Sequence, residues 1–181
     1  VADTFEAAMN SPHIEGLKNE NKEVLLLTDR IDEWLMATLM VYKGKELVNV
    51  AKDIQEFDSK PEISESDQDF IGKIQKQLED RVSDVAISSR LVDSASCLRL
   101  PNNEPGAQLR KILEASGQDL SGSKPIFEIN LKHKLSKRLK DLKGKQFNLF
   151  VDFLYDYAVI AEGGSPKDPA KYLRQLDKYL S

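Results

Sequence analysis

Asp29, Asp32 and Glu33 cluster in the first turn of an expected helix, where two carboxylates could act as a general acid/base pair. Such a pair works only if burial or mutual repulsion moves one pKa away from the other. Carboxylates in a first helical turn have a simpler use: they accept from free N–H groups and oppose the macrodipole. The pattern fits that simpler use better. His13 and His133 are far apart, neither has a second ligand type at i+3 or i+4, and Cys97 has no cysteine partner. A zinc site takes three or four such ligands, so a metal centre and a Cys–His nucleophile are both disfavoured. The stretch GGSP (163–166) has neither glycine spacing that cradles phosphate, so no cofactor is expected in this chain.

Residues 131–145, LKHKLSKRLKDLKGK, carry seven Lys or Arg, with Leu135, Leu139 and Leu142 on one face. A basic helix of this kind suits nucleic acid or acidic lipid. It also suits a solvated face paired with acidic neighbours. No aromatics are interleaved to stack on bases, and the net charge of −4 opposes a dedicated nucleic-acid binder. The solvated face is the preferred reading, with a nucleic-acid module as the alternative.

These residues sit on an alternation of helix and strand signals. Cys97 is the only cysteine among 181 residues, so no disulfide forms within the chain, as in a reducing, cytoplasmic compartment. No apolar run approaches the ~20 residues of a membrane span. The first residues lack Met, a basic region and an apolar signal core, which suggests a portion of a longer chain. Residues 3–10 predict a short helix, and Ser11 with Pro12 starts another. EVLLL (23–27) predicts a strand covered on both faces. TDRIDEWLMATLM opens a helix with Ile31, Leu35 and Leu39 as its core face, and 45–52 predict a closing strand. The sum is a small αβα unit over 1–52. A polar linker at 53–63 precedes a second unit, 64–181. That unit opens with a helix capped by Ser64. Strands follow at VSDVAISSRL and SCLRL, joined antiparallel by a turn near Asp93 and Ser94, and a third at PIFEIN. Helices are predicted at 105–116, 133–143, 146–161 and from Asp168 onward. The class is α+β, with a three-stranded antiparallel sheet in the second unit.

Three stretches look sticky. QFNLFVDFLYDYAVIAEGG (146–164) has one apolar stripe through Phe147, Phe150, Val151, Leu154, Tyr155 and Ala158, and a second through Leu149, Phe153, Tyr157 and Ile160. One face can meet the chain's own core; something must cover the other. Trp34, the only tryptophan, is displaced beside Glu33, as an adaptable surface or as a core edge. Leu109, Ile112 and Leu113 give the 105–116 helix a narrow stripe, which suits either a loosely held exposed helix or ordinary core packing.

SPHIEGLKNENKEVLLLTDRIDEWLMATL closely resembles the end of the middle domain of the heat-shock protein 90 chaperones in their bacterial HtpG form. DRVSDVAISSRLVDS, KPIFEIN, LYDYAVIAEGG and the final helix opening at Asp168–Pro169 extend the resemblance to essentially the whole chain. It implies that 1–52 end the middle domain and that 64–181 form the C-terminal dimerisation domain. The ATP and Mg site would lie in a domain outside this chain, which would have no ATPase activity of its own. Ending at KYLS without the acidic tail of eukaryotic relatives, the chain should not recruit tetratricopeptide-repeat cochaperones. The resemblance implies a homodimer in which the last two helices of each copy form an intermolecular four-helix bundle. The implied interface is Phe150, Phe153, Leu154, Tyr157, Ile160, Tyr172, Leu173, Leu176, Tyr179 and Leu180. It further implies contact with non-native client proteins at Glu33, Trp34, Leu109, Ile112 and Leu113.

Overall fold

A computed structural model describes residues 1–29, 31–52, 63–101, 117 and 124–180. The linker up to residue 62 and the 105–116 helix, with Leu109, Ile112 and Leu113, lie outside the described residues.

Residues 1–52 make short helices and a hairpin. α1 (Phe5–Met9) is capped by Thr4, whose Oγ1 accepts from the Ala7 N–H at 3.1 Å. Ser11 caps a 3-10 turn over Pro12–Ile14, which leads into α2 (Glu15–Asn19). α3 spans Asp32–Thr38. β1 (Val41–Tyr42) and β2 (Lys45–Glu46) pair antiparallel across Lys43 and Gly44, both at positive φ (49° and 75°), the signature of a tight I′ hairpin.

Among the described residues of 1–52, the strands expected at 23–27 and 45–52 are not seen at their expected extent. Residues 23–27 carry no regular secondary structure and join no strand ladder among the described residues, and Leu25 is exposed. An apolar run becomes a buried strand only where neighbouring strands take its N–H and C=O groups. Here the Ala2 N–H to Leu27 C=O bond, 2.9 Å, ties the segment down. The closing strand expected at 45–52 shrinks to β2. Asn49 Oδ1 accepts from the Ala51 N–H at 3.0 Å and turns the backbone there, and Lys52 bridges in parallel to Leu100.

α4 (Glu65–Leu78) starts at Ser64 as expected, with the Ser64 Oγ accepting from the Asp67 N–H at 3.2 Å. Its buried face is Phe70, Ile74 and Leu78, one turn apart. β3 (Asp84–Ile87), β4 (Ser96–Arg99) and β5 (Ile126–Ile129) form a sheet in the order β3-β5-β4. This corrects the expected antiparallel sheet: β5 pairs parallel with β3 and antiparallel with β4, so β3 and β4 are not hairpin neighbours. The reason lies in residues 91–94. Asn130 Nδ2 donates to the carbonyls of Leu91, Val92 and Ser94 at 3.1–3.3 Å, and Glu15 takes the N–H groups of Val92, Asp93 and Ser94. Side chains from elsewhere thus hold this connection wide, and the most apolar strand, with Phe127 and Ile129 fully buried, takes the centre.

α5 (Lys134–Asp141) is capped by His133, whose Nδ1 accepts from the Leu135 N–H at 3.2 Å. α6 (Gly144–Ala161) lies across β4 and α4, and the Ser96 Oγ–H donates to its Leu154 carbonyl at 3.0 Å. It ends in a Schellman turn: the Gly163 N–H reaches Ile160 C=O and the Gly164 N–H reaches Val159 C=O, with Gly163 at φ 73°. α7 (Pro169–Leu180) starts at Asp168, whose Oδ1 accepts from the Lys171 N–H at 2.9 Å, and folds back on α6.

Candidate functional site

The chain's own α7 covers Phe153 of the second apolar stripe of α6, and Phe150 beside it. Tyr172 stacks on Phe153 with ring centroids 5.2 Å apart, and Tyr179 sits 4.6 Å from Phe150 and 5.0 Å from Phe153. Arg138 locks this corner. Its Nη1 donates to the Tyr179 carbonyl at 3.1 Å, and its guanidinium lies over the Tyr179 ring. Of the residues proposed as an interface, Phe150, Phe153 and Leu154 are therefore core of the single chain, Leu154 being 0% exposed. Tyr157, Tyr172, Leu176 and Tyr179 are half-buried. Ile160 and Leu173 are exposed, Leu173 by 57%. Among the described residues, Ile160 and Leu173 are the large apolar side chains that α6 and α7 leave exposed.

The second surface surrounds Trp34. The expected core face of α3 is not core: Ile31 and Leu35 are exposed along with Trp34, and only Leu39 is half-buried. Sequence periodicity finds an apolar face but not what lies opposite it. Met40, Val41 and Tyr42 continue the exposed run onto the hairpin. Trp34 is 60% exposed, and Glu33 beside it is half-buried. Asp29 and Asp32 are engaged by local backbone. Asp32 Oδ2 accepts from the Asp29 N–H at 2.8 Å, and Asp29 Oδ1 from the Ile31 N–H at 3.2 Å. This is the simpler use of first-turn carboxylates.

A third constellation went unread in the sequence. Arg90 donates from Nε and Nη2 to Glu128 Oε2 at 3.1 and 3.0 Å, and from Nη1 to the Val50 carbonyl at 2.8 Å. Arg99 Nη1 lies 3.6 Å from Glu128 Oε1. His13, buried, places Nε2 3.0 Å from Glu162 Oε2 at the end of α6. Gly16 lies so close to the Arg90 backbone that a Cβ there would sit 2.9 Å from its carbonyl oxygen. Together these contacts fasten residues 13–16 and 50 onto the sheet and α6. The available signal was Glu128, a lone charge between Phe127 and Ile129. A carboxylate within an apolar strand needs a cation from elsewhere in the fold. Cys97 is enclosed beside it. Burial, then the neighbouring charges of Glu128 and Glu162, push its thiol well above its ordinary value, so it is inert as a nucleophile. Among the described residues no group of three or more His, Cys, Asp or Glu could hold a metal ion.

Glu15 gives this fastening a pH dependence. Burial pushes its carboxyl up, but the Ser94 hydroxyl and the N–H groups of 92–94 outweigh that and hold it below the ordinary value. A lowered carboxylate contributes stability that is fully present above its unfolded pKa, about 4.3, and is lost as pH falls through its folded value. Glu15→Ala is expected to cost about 1 kcal/mol at neutral pH, the low end for a charged acceptor partly open to solvent. In urea melts the gap between variant and parent should narrow below about pH 4. A gap independent of pH would rule out the charged acceptor as its source.

The sequence profile of the Hsp90 protein family matches residues 1–181. The Chaperone protein HtpG of Vesicomyosocius okutanii is 40% identical over 188 residues, covering the whole chain. That of Chromobacterium violaceum is 39% identical over 190 residues, and that of Legionella pneumophila 38% over 187, each covering 99% of the chain. The chain belongs to the Hsp90 family in its bacterial HtpG form. It spans about 30% of the length of these relatives. No helix among the described residues is long and apolar enough to cross a membrane.

Proposed function

We propose that the chain is the dimerising, client-holding portion of an ATP-dependent cytoplasmic chaperone. In this reading residues 1–52 close the middle domain and 64–181 form the dimerisation domain. ATP and Mg are handled outside this chain, which neither binds nor hydrolyses ATP by itself, and no tetratricopeptide-repeat cochaperone docks on it. The observation that carries the reading is the exposed run Ile31, Trp34, Leu35, Met40, Val41 and Tyr42. Large apolar side chains exposed this densely within residues 31–42 suit a surface that binds something. Apolar adhesion is non-directional and tolerant of sequence, as the capture of unrelated unfolded chains requires. Leu109, Ile112 and Leu113 would add a second contact. Pairing of two copies through Ile160, Leu173 and the half-buried residues beside them would duplicate these surfaces and raise weak single contacts by avidity.

Two measurements test this. Sedimentation should show a dimer at tens of micromolar, the weak end for a standard interface, and Ile160→Asp with Leu173→Asp should give a folded monomer. A parent chain that stays monomeric at that concentration defeats the dimer. Trp34→Arg should impair suppression of aggregation of a model unfolded protein while shifting the denaturation midpoint by no more than about 0.5 kcal/mol. Full holding activity in that variant would remove Trp34 from the client surface.

A further inference from the structure

A cleft of about 560 Å³ opens between the end of α4, the end of α5 and the start of α6, and it shares no residue with the surfaces above. Its floor is apolar. Phe70 and Phe147 meet edge to face at 6.1 Å, both nearly buried, with half-buried Leu142 beside them. Its rim is basic: Lys73, Lys76, Lys140 and Lys143 line it against one carboxylate, Glu79, in a chain whose net charge is −4. Lys140 is committed to the fold. Its Nζ lies 2.6 Å from Asp67 Oδ1 and over the Phe70 ring. Lys73, Lys76 and Lys143 are exposed and have no ion-pair partner among the described residues. With Lys140 paired to Asp67, three exposed lysines against the single carboxylate Glu79 leave the lining net positive around an apolar floor, a local reversal of the whole-chain charge, and such a site attracts anions from solution.

We propose that this cleft binds an acidic peptide segment of a partner protein, with one large apolar side chain seated on Phe70, Phe147 and Leu142 and flanking carboxylates held by Lys73, Lys76 and Lys143. The chemistry separates this occupant from a nucleic acid. The two rings are packed against each other and nearly buried, so they offer no open face on which a base could stack. With half-buried Leu142 they make an apolar floor that the tip of one inserted side chain can touch, with charges at the mouth. The basic helix α5 thereby divides its cations. Arg138 and Lys140 clamp aromatic rings of the chain's own core, while the neighbouring lysines at the cleft stay available.

The test uses the 181-residue chain. Fluorescein-labelled decapeptides of glutamate with a central Phe, with a central Ala, and of lysine with a central Phe are titrated by fluorescence anisotropy, beside a single-stranded oligonucleotide of equal charge. The acidic Phe peptide should bind saturably and about tenfold tighter than its Ala counterpart, and the lysine peptide should not bind. Binding should weaken severalfold between about 50 and 200 mM salt, as rim charges are screened. Lys73→Glu with Lys143→Glu should lower affinity at least about tenfold with an unchanged circular dichroism spectrum and melting temperature. Lys134→Glu, outside the cleft, should change little. No saturable binding, equal binding of the Ala peptide, tighter binding of the oligonucleotide, or indifference to the double charge reversal would each overturn the proposal. The Trp34→Arg chain should bind the acidic peptide like the parent, so failure here and failure of the client surface are read separately.

Discussion

Arg90→Ala is expected to destabilise the chain by about 3–5 kcal/mol, the range found when one partner of a buried ion pair is removed. Glu128 is 1% exposed and lies in the central strand of the sheet. Its nearest compensating charge is the Arg90 guanidinium at 3.0 Å, while Arg99 is farther, at 3.6 Å. Without Arg90 the buried carboxylate loses its nearest compensating charge, which costs stability. The variant also loses the bond to the Val50 carbonyl, so the ordering of residues around 50 should fall with it. Guanidinium melts followed by circular dichroism would give the energy, and hydrogen exchange around Val50 the local effect. A cost under about 1 kcal/mol would mean that Arg99 and water replace the lost partner. Arg90→Ala with Glu128→Leu should recover much of the loss, because replacing a whole buried pair by apolar side chains is often nearly neutral.

Leu154→Ala is expected to cost about 2–5 kcal/mol, and Leu173→Ala, measured on the monomer, no more than about 0.5 kcal/mol. The two leucines lie on consecutive helices and both belong to the stripes expected to pair between copies. Leu154 is fully enclosed on the face of α6 that packs against β4, with the Ser96 hydroxyl bonded to its carbonyl. Its truncation leaves a cavity that the surrounding aromatic rings cannot fill without leaving their rotamers. Leu173 is more than half exposed. A variant at Leu154 should therefore unfold more easily at any protein concentration. A variant at Leu173 should lose its stability difference on dilution, where no partner copy is bound. Denaturant midpoints at two protein concentrations about a hundredfold apart would separate the two. If Leu154→Ala instead gave a stable monomer, the assignment of its stripe to the core of the single chain would be wrong.

Much of the local structure was written in local signals, because caps and periodicity act within a turn or two of helix. Thr4, Ser64 and Asp168 each supply the oxygen that a first helical turn needs, and Gly163 supplies the positive φ that closes α6. The spacing of Phe70, Ile74 and Leu78 placed the buried face of α4, and the family resemblance covered the chain. The tertiary structure decided what covers each apolar face. EVLLL (23–27) reads as a strand but forms no ladder among the described residues, since a strand exists only with a partner edge. The order β3-β5-β4 depended on Glu15 and Asn130 reaching the 91–94 connection from outside it, and no turn residue inside that connection encodes such a reach. The double stripe of α6 announced that two things would touch it, but only the fold showed that α7 supplies the rings over Phe150 and Phe153. Ile31 and Leu35 carry the same periodicity as core leucines and lie in the open. Periodicity records which side chains share a face; burial depends on what the rest of the chain places opposite it, and that is a property of the assembled structure alone.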